Sequence, residues 1–238
     1  QDCFWPSFEI STAMQPHHFW QELLPPAPAE TAAHDVAYTA RLADGRRLLL
    51  PIRPLGDSGE GLASLIINQA SFAVTRALAA DLAARLAPLR PEIIVGLPTL
   101  GLTLAAAVAE ALGHSRYVPL GNSRKFWYEE ALSLPVSSVT TPGQQKRLYI
   151  DPRMLPLLEG RRVALVDDVI SSGQSIVAGL SLLKQCDVRP VAIAAAMLQT
   201  SRYVEALAAF DADIVENIHA CFATPLLVRG PDRLWRPA

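Results

Sequence analysis

The sequence predicts an α/β fold organised on a doubly wound, mainly parallel sheet. Three observations lead there. Short apolar runs recur along the chain, at Ile93-Ile94-Val95, at Val163-Ala164-Leu165-Val166 and across 190–197. Runs of that length, apolar at successive positions, read as strands buried on both faces, as parallel sheets require. Each is followed by turn residues and an alanine- or leucine-rich segment of helix length, at 103–112, 176–184 and 203–210. That alternation yields a parallel sheet covered by helices. Finally, 238 residues with 50% hydrophobic content suffice for one large domain with a sizeable core and exclude a disordered chain.

Composition narrows the function classes further. The net charge is −2, with no block of lysine and arginine, which argues against general nucleic-acid binding. No apolar run approaches the roughly 18 residues of a membrane span. The three cysteines, Cys3, Cys186 and Cys221, share no metal-ligand spacing and read as free thiols of a reducing compartment. The first residues lack the basic start and apolar core of a secretion signal. The expectation is a soluble cytoplasmic protein that contacts neither nucleic acid nor membrane.

Residues 1–35 form an N-terminal arm with apolar contacts at Trp5, Phe19 and Trp20 and an extended connector at Pro25-Pro26-Ala27-Pro28. His17 and His18 adjoin without further ligand spacing and read as surface or packed histidines. The arm should lie against the body of the protein or a second subunit. In 36–59, two apolar runs flank Ala43-Asp44-Gly45, and Asp-Gly is a strong hairpin turn. The stretch 62–69 leads to a helix over about 72–86, rich in alanine and leucine. Within it Asn68 is an amide in an apolar run, read as a turn or N-cap residue. From Pro91 a strand, a turn (96–102) and a helix follow. Tyr117-Val118-Pro119-Leu120 is a short strand.

Residues 121–150 show weak periodicity over a length long for a plain connection, which points to function. They hold Arg124 and Lys125, the aromatics Phe126, Trp127 and Tyr128, and a second basic pair, Lys146 and Arg147. The competing reading of Arg124-Lys125 is a solvated basic turn. After the helix at 203–210, Asp213-Ile214-Val215 reads as the start of a last core strand. The pattern loosens into a tail, 221–238, whose Trp235 could pack internally or stack on a ligand.

The most informative stretch is Val163-Ala164-Leu165-Val166-Asp167-Asp168-Val169-Ile170-Ser171-Ser172-Gly173-Gln174-Ser175. The apolar strand at 163–166 delivers two adjacent carboxylates to its C-terminal end, where ligands of open α/β sheets bind. A loop of hydroxyls and one glycine then opens the helix at 176–184, and backbone N–H groups at a helix start favour an anion. Carboxylates for sugar hydroxyls or a hydrated cation beside a phosphate nest suit a sugar phosphate. An acidic pair flanking a helix in some other α/β protein is the alternative.

This stretch resembles the phosphoribosyl-pyrophosphate (PRPP) signature of the type I phosphoribosyltransferases, nearest to their xanthine and adenine branch. The resemblance covers about residues 60–220 as the catalytic core. It implies that Asp167 and Asp168 hold the ribose hydroxyls and, directly or through water, Mg²⁺. It also implies that Ser171, Ser172, Gly173, Gln174 and Ser175 wrap the 5′-phosphate. Many members have a second glycine where Gln174 stands; a Gly-Gln pair is also found in the xanthine branch. Pro98, Thr99, Leu100 and Gly101 take the place of the pyrophosphate loop, with Leu100 where adenine-type members carry a basic residue. Arg124 and Lys125 match a basic pair in a mobile loop that closes over the site, which would make them catalytic. Asn68 matches an asparagine that contacts the base.

Family members build a small hood over the base from terminal segments, for which 36–59 and 221–238 are the candidates. The implied activity transfers the phosphoribosyl group from PRPP to a nucleobase, a purine in the nearest branch, releasing pyrophosphate; the implied assembly is a homodimer. Ser171 stands where hypoxanthine–guanine enzymes carry an aspartate. Residues 143–146 lack the acid of the adenine enzymes. An orotate-like enzyme or a PRPP-sensing regulator without turnover are the other implied readings, and Leu100 would suit the regulator.

Overall fold

A computed structural model of the chain describes residues 14–28, 33–136 and 146–238. In chain order, β1 (Ala37–Arg41), β2 (Arg47–Pro54) and β3 (Glu60–Ala63) lead to helix α1 (Phe72–Leu86). Then come β4 (Ile93–Gly96), α2 (Gly101–Ala111), the short β5 (Val118–Pro119), and β6 (Ser133–Val136) with β7 (Lys146–Tyr149). The second half runs β8 (Val163–Ile170), α3 (Gln174–Gln185), β9 (Ala192–Gln199), α4 (Tyr203–Phe210) and β10 (Ile218–Thr224). Two short strands, β11 (Leu226–Arg229) and β12 (Trp235–Pro237), end the chain.

Two five-stranded sheets result. The first is parallel throughout, in the order β10-β9-β8-β4-β5. The chain winds outward from β4 to β5, then returns to lay β8, β9 and β10 on the other side. Strand order therefore reverses between β4 and β8, which creates a crevice at their C-terminal ends. Both faces are covered. One cluster packs Val74, Leu78 and Leu82 of α1 and Leu104 and Val108 of α2 against Ala164, Val166 and Ala194. The other packs Leu180 and Leu183 of α3 and Leu207 of α4 against Val163, Leu165 and Ile193. Burial on both faces explains why these strands read as unbroken apolar runs.

The second sheet is antiparallel, in the order β1-β2-β3-β11-β12. Its hairpin turns where Asp-Gly requires it: Gly45 has φ +84°, and Asp44 Oδ1 accepts the Arg46 N–H at 2.9 Å. Leu48, Leu50 and Ala63 send the sheet's inner face into the α1–α2 core. The arm adds Phe19 and Trp20 to that core, and the Trp20 indole N–H donates to the Ser64 carbonyl at 3.1 Å. His17 and His18 are exposed. Trp235 is packed: it is 5% exposed, and a Cβ on Gly61 would come within 2.8 Å of its ring.

The structure corrects the sequence reading in three places. The strand expected at 163–166 continues to Ile170, because β9 supplies partners as far as Ile170↔Leu198; the ladder carries both aspartates inside the strand despite their low β-propensity. The helix expected from 176 begins at Gln174. Residues 213–215 form no strand: Asp211 accepts the Asp213 N–H at 3.1 Å and caps a 3₁₀ turn over Ala212–Asn217, so the last parallel strand starts at Ile218.

Candidate active site

The acidic pair lies on β8 beside the crevice. Alternation does not run the whole length of β8: Val163 and Leu165 pack on one face and Ala164 and Val166 on the other, but beyond the acidic pair Val169 lies with Val166 and Ile170 with Leu165. Both carboxylates are buried, at 7% and 8% exposure. Asp167 Oδ1 accepts the Asp168 backbone N–H at 2.9 Å, which satisfies part of its hydrogen-bonding capacity within the protein. Its carboxylate also rests against the start of α2, where a Cβ on Gly101 would lie 2.5 Å from Oδ1 and 2.8 Å from the Asp167 Cα. Glycine is required there by close approach, with no side chain fitting between helix and strand. Burial, and then the Asp168 charge, push the Asp167 carboxyl well above the ordinary carboxylate range. Burial also raises Asp168, against hydrogen bonds that lower it. A cation or a set of sugar hydroxyls would relieve both.

After Ile170 the chain bends through Ser171, Ser172 and Gly173 into α3. Gly173 takes φ +79°, a conformation that favours glycine. No side chain caps α3, so N–H groups of its first turn remain for a ligand. A cleft of about 90 Å³ opens here, lined by Asp167, Val169, Ile170, Ser171, Ser172, Gly173, Gln174, Ser175 and Ile176. It is far smaller than the roughly 300 Å³ of a whole-ligand pocket, and it combines a helix N-terminus with hydroxyls and a carboxylate edge. Groups of that chemistry suit an anion joined to a polyol.

The turn after β4 forms the other wall of the crevice. Leu97 donates its N–H to the Val166 carbonyl at 2.9 Å, continuing the β4–β8 register, and Thr99 is exposed. The Leu100 side chain packs against the α1–α2 core, leaving backbone groups and Thr99 to face a ligand. Asn122 Nδ2 donates to Thr99 Oγ1 at 3.0 Å, so the basic segment begins two residues from this turn. Arg124 pairs with Glu130 at 3.8 Å, and Glu130 also takes Arg147 at 2.8 Å. Among the described residues no ion pair joins Arg124 or Lys125 to the acidic pair. The stretch 137–145, including Gly143, Gln144 and Gln145, lies outside the described residues. Asn68 is exposed in a 3₁₀ turn, Ile67–Gln69. It does not cap α1; Ser71 does, its side chain accepting the Val74 N–H at 3.2 Å.

Two residues escaped the sequence reading. Asn122 precedes the basic pair with no motif to mark it. Arg202 follows β9 and donates from Nη2 to Ser171 Oγ at 3.2 Å; only the fold brings positions 171 and 202 together. Among the described residues no group of three or more His, Cys, Asp or Glu is placed to hold a metal. Two buried carboxylates with raised affinity for protons nevertheless fit a Mg²⁺ that arrives on a polyphosphate and keeps most of its ligands from substrate and water.

The fold is a doubly wound α/β sheet that places a buried acidic pair and an uncapped helix start at its topological switch point. The model of the phosphoribosyl transferase domain family matches residues 62–229, and the chain belongs to that family. An adenine phosphoribosyltransferase of Albidiferax ferrireducens is 32% identical over 100 residues, covering 41% of this chain and 46% of that protein. The matched stretch is therefore about half the length of that curated relative. The adenine phosphoribosyltransferase of Giardia lamblia complexed with 9-deazaadenine superposes with a TM-score of 0.55 at 18% identity, covering 74% of this chain and 93% of that one. The Trypanosoma brucei enzyme, solved with AMP, pyrophosphate and ribose-5-phosphate, gives 0.54 at 18% identity, covering 79% and 76%. Likeness at such identity concerns the fold.

Proposed function

We propose that this chain is a phosphoribosyltransferase acting on a nucleobase, a purine by its nearest resemblance. The observation that carries the reading is the anion cleft at 171–175 opening beside Asp167, within a family-matched core. A ring nitrogen of the base would donate its lone pair to C1 of PRPP. The C1–O bond would break as this bond forms, its electron pair leaving with pyrophosphate, and the proton of the base's ring N–H would pass to solvent or the released pyrophosphate, to give a nucleoside 5′-monophosphate. Negative charge grows on the pyrophosphate while the ribose becomes oxocarbenium-like, so catalysis rests on positioning and electrostatics. Asp167 and Asp168 would hold the ribose hydroxyls beside the developing positive charge. The loop 171–175 would anchor the 5′-phosphate, and the 98–101 backbone with Thr99 would face pyrophosphate. Bound Mg²⁺ supplies charge neutralisation for the leaving pyrophosphate.

Arg124 and Lys125 would close over the site from the 121–150 segment, and Asn68 would meet the base. The domain reading places the catalytic core at 60–220, with the arm at 1–35. The antiparallel sheet, drawn from 36–59 and 221–238 with β3, would form the hood. The free thiols of Cys186 and Cys221 suit a reducing cytoplasm. The exposed Phe126 ring beside the basic pair suits a homodimer.

The curated relative and the superposed structures are adenine enzymes by name, which makes adenine the first base to try. With PRPP, Mg²⁺ and a panel of bases, purified protein should consume one base and release pyrophosphate stoichiometrically. Asp168→Asn should weaken PRPP binding or turnover severely; near-normal kinetics would contradict the assigned role. A second reading, a PRPP sensor, draws on Leu100, which leaves the 98–101 turn without a cation. PRPP binding with no turnover of any base would establish it.

A further inference from the structure

We propose that Arg202 is a substrate-binding residue that supplies the cationic contact to the 5′-phosphate; the inference rests on the reading of the 171–175 cleft as that phosphate's subsite. The 171–175 loop and the 98–101 turn contain no lysine or arginine, although the ligand they would share is a polyanion beside two buried carboxylates. Backbone N–H groups and hydroxyls alone would have to balance that charge. Arg202 reaches the loop from outside it, its Nη2 donating to Ser171 Oγ at 3.2 Å.

The placement is built into the fold. β9 ends at Gln199, and Thr200 turns the chain back with φ +63°. The Arg202 N–H then approaches Thr200 Oγ1 at 3.4 Å, and α4 begins at Tyr203. The backbone of Tyr203 lies against Gly173, where a Cβ would sit 3.3 Å from both its Cα and its carbonyl oxygen. The 200–203 bend is thereby pressed onto the phosphate loop. Among the described residues no carboxylate pairs with Arg202, whereas Arg124, Arg147, Arg153 and Arg189 each have one. An exposed guanidinium with a hydroxyl as its partner retains donors for a phosphate, whose oxygens accept from arginine in a fork.

The test is calorimetric binding of ribose 5-phosphate and, separately, of pyrophosphate to the full chain and to Arg202→Ala and Arg202→Lys. Arg202→Ala should lose about tenfold or more in ribose 5-phosphate affinity, the order expected for one charge-assisted hydrogen bond. Arg202→Lys should recover part of that loss, and pyrophosphate affinity should stay within about twofold. In turnover the loss should appear in KM for PRPP rather than in kcat, because the 5′-phosphate is bound alike in ground and transition states. Unchanged ribose 5-phosphate affinity in Arg202→Ala overturns the inference, as does an equal loss for both ligands, which would mark a structural role. If the unmodified chain binds neither ribose 5-phosphate nor PRPP, the phosphoribosyltransferase reading itself falls, and that outcome is distinct from the first two.

Discussion

Asp167→Asn should make the unliganded protein more stable while impairing its use of PRPP. The Asp167 carboxylate is buried beside a second carboxylate, and burial followed by the Asp168 charge raises its proton affinity in the folded state. The unfolded chain releases that proton at the ordinary carboxylate pKa. Between that value and the raised folded value the native state therefore holds more protons than the unfolded state, and stability falls as pH rises. Each unit of elevation corresponds to about 1.4 kcal/mol. Asparagine keeps the volume beside Gly101 and a carbonyl to accept the Asp168 N–H, so the substitution removes charge with little change of shape. Single stabilising substitutions commonly yield about 0.5–2 kcal/mol, or roughly 2–4 °C in Tm per kcal/mol for a domain of this size, and a gain in that range is expected here. Urea unfolding of both proteins from about pH 5 to about pH 9 would show the unmodified protein losing stability with rising pH and the variant following a flatter curve. A variant no more stable than the parent at the alkaline end would show that the pair is not strained in the way its burial implies.

Gly101→Ala should destabilise by about 1–3 kcal/mol in urea, the usual cost of overpacking, since its Cβ would meet the Asp167 backbone as well as its carboxylate; PRPP affinity should fall with it. Gly173→Ala must adopt a positive φ and press on Tyr203, costing about 1–2 kcal/mol for the backbone alone and raising KM for PRPP. Asp151, whose carboxyl is lowered to about 2 chiefly by hydrogen bonds from Arg153, also accepts the Trp127 indole N–H at 3.2 Å. Its contribution is present above the unfolded pKa and lost as pH falls towards about 2. Because Arg153 is 63% exposed, Asp151→Asn should cost no more than about 1 kcal/mol, with a shift in Trp127 fluorescence as the readout. Cys221, its thiol pushed up by burial and by Asp81, should stay unmodified by thiol reagents in the folded protein and react only on unfolding.

Much of the fold was legible because its signals are local. The Asp-Gly turn, the helix at 72–86, and the apolar strands near 93 and 163 depend on neighbours within a few residues, and each appears where the pattern placed it. The end of β8 was not legible, since pairing with β9 rather than propensity decides how far a strand runs. Nor was the 3₁₀ turn at Ala212–Asn217, whose apolar Ile214 and Val215 imitate a strand until Asp211 caps the turn. At the site, the order of residues exposed the acids and the hydroxyl-rich bend. Asn122 and Arg202 carry no local signature, because their partners Thr99 and Ser171 lie 23 and 31 positions away.

The amino-acid order by itself determined a doubly wound α/β chain with an acidic pair followed by a hydroxyl-rich bend, since burial periodicity and the run from Val163 to Ser175 are written in contiguous residues. The tertiary structure decided which loops meet. The reversal of strand order between β4 and β8 sets Gly101 against Asp167. The return of the C-terminal strands beside β3 joins both ends of the chain in one antiparallel sheet. The turn after β9 brings Arg202 to Ser171. These juxtapositions come from sheet pairing and helix packing between distant segments, for which a linear pattern has no signal.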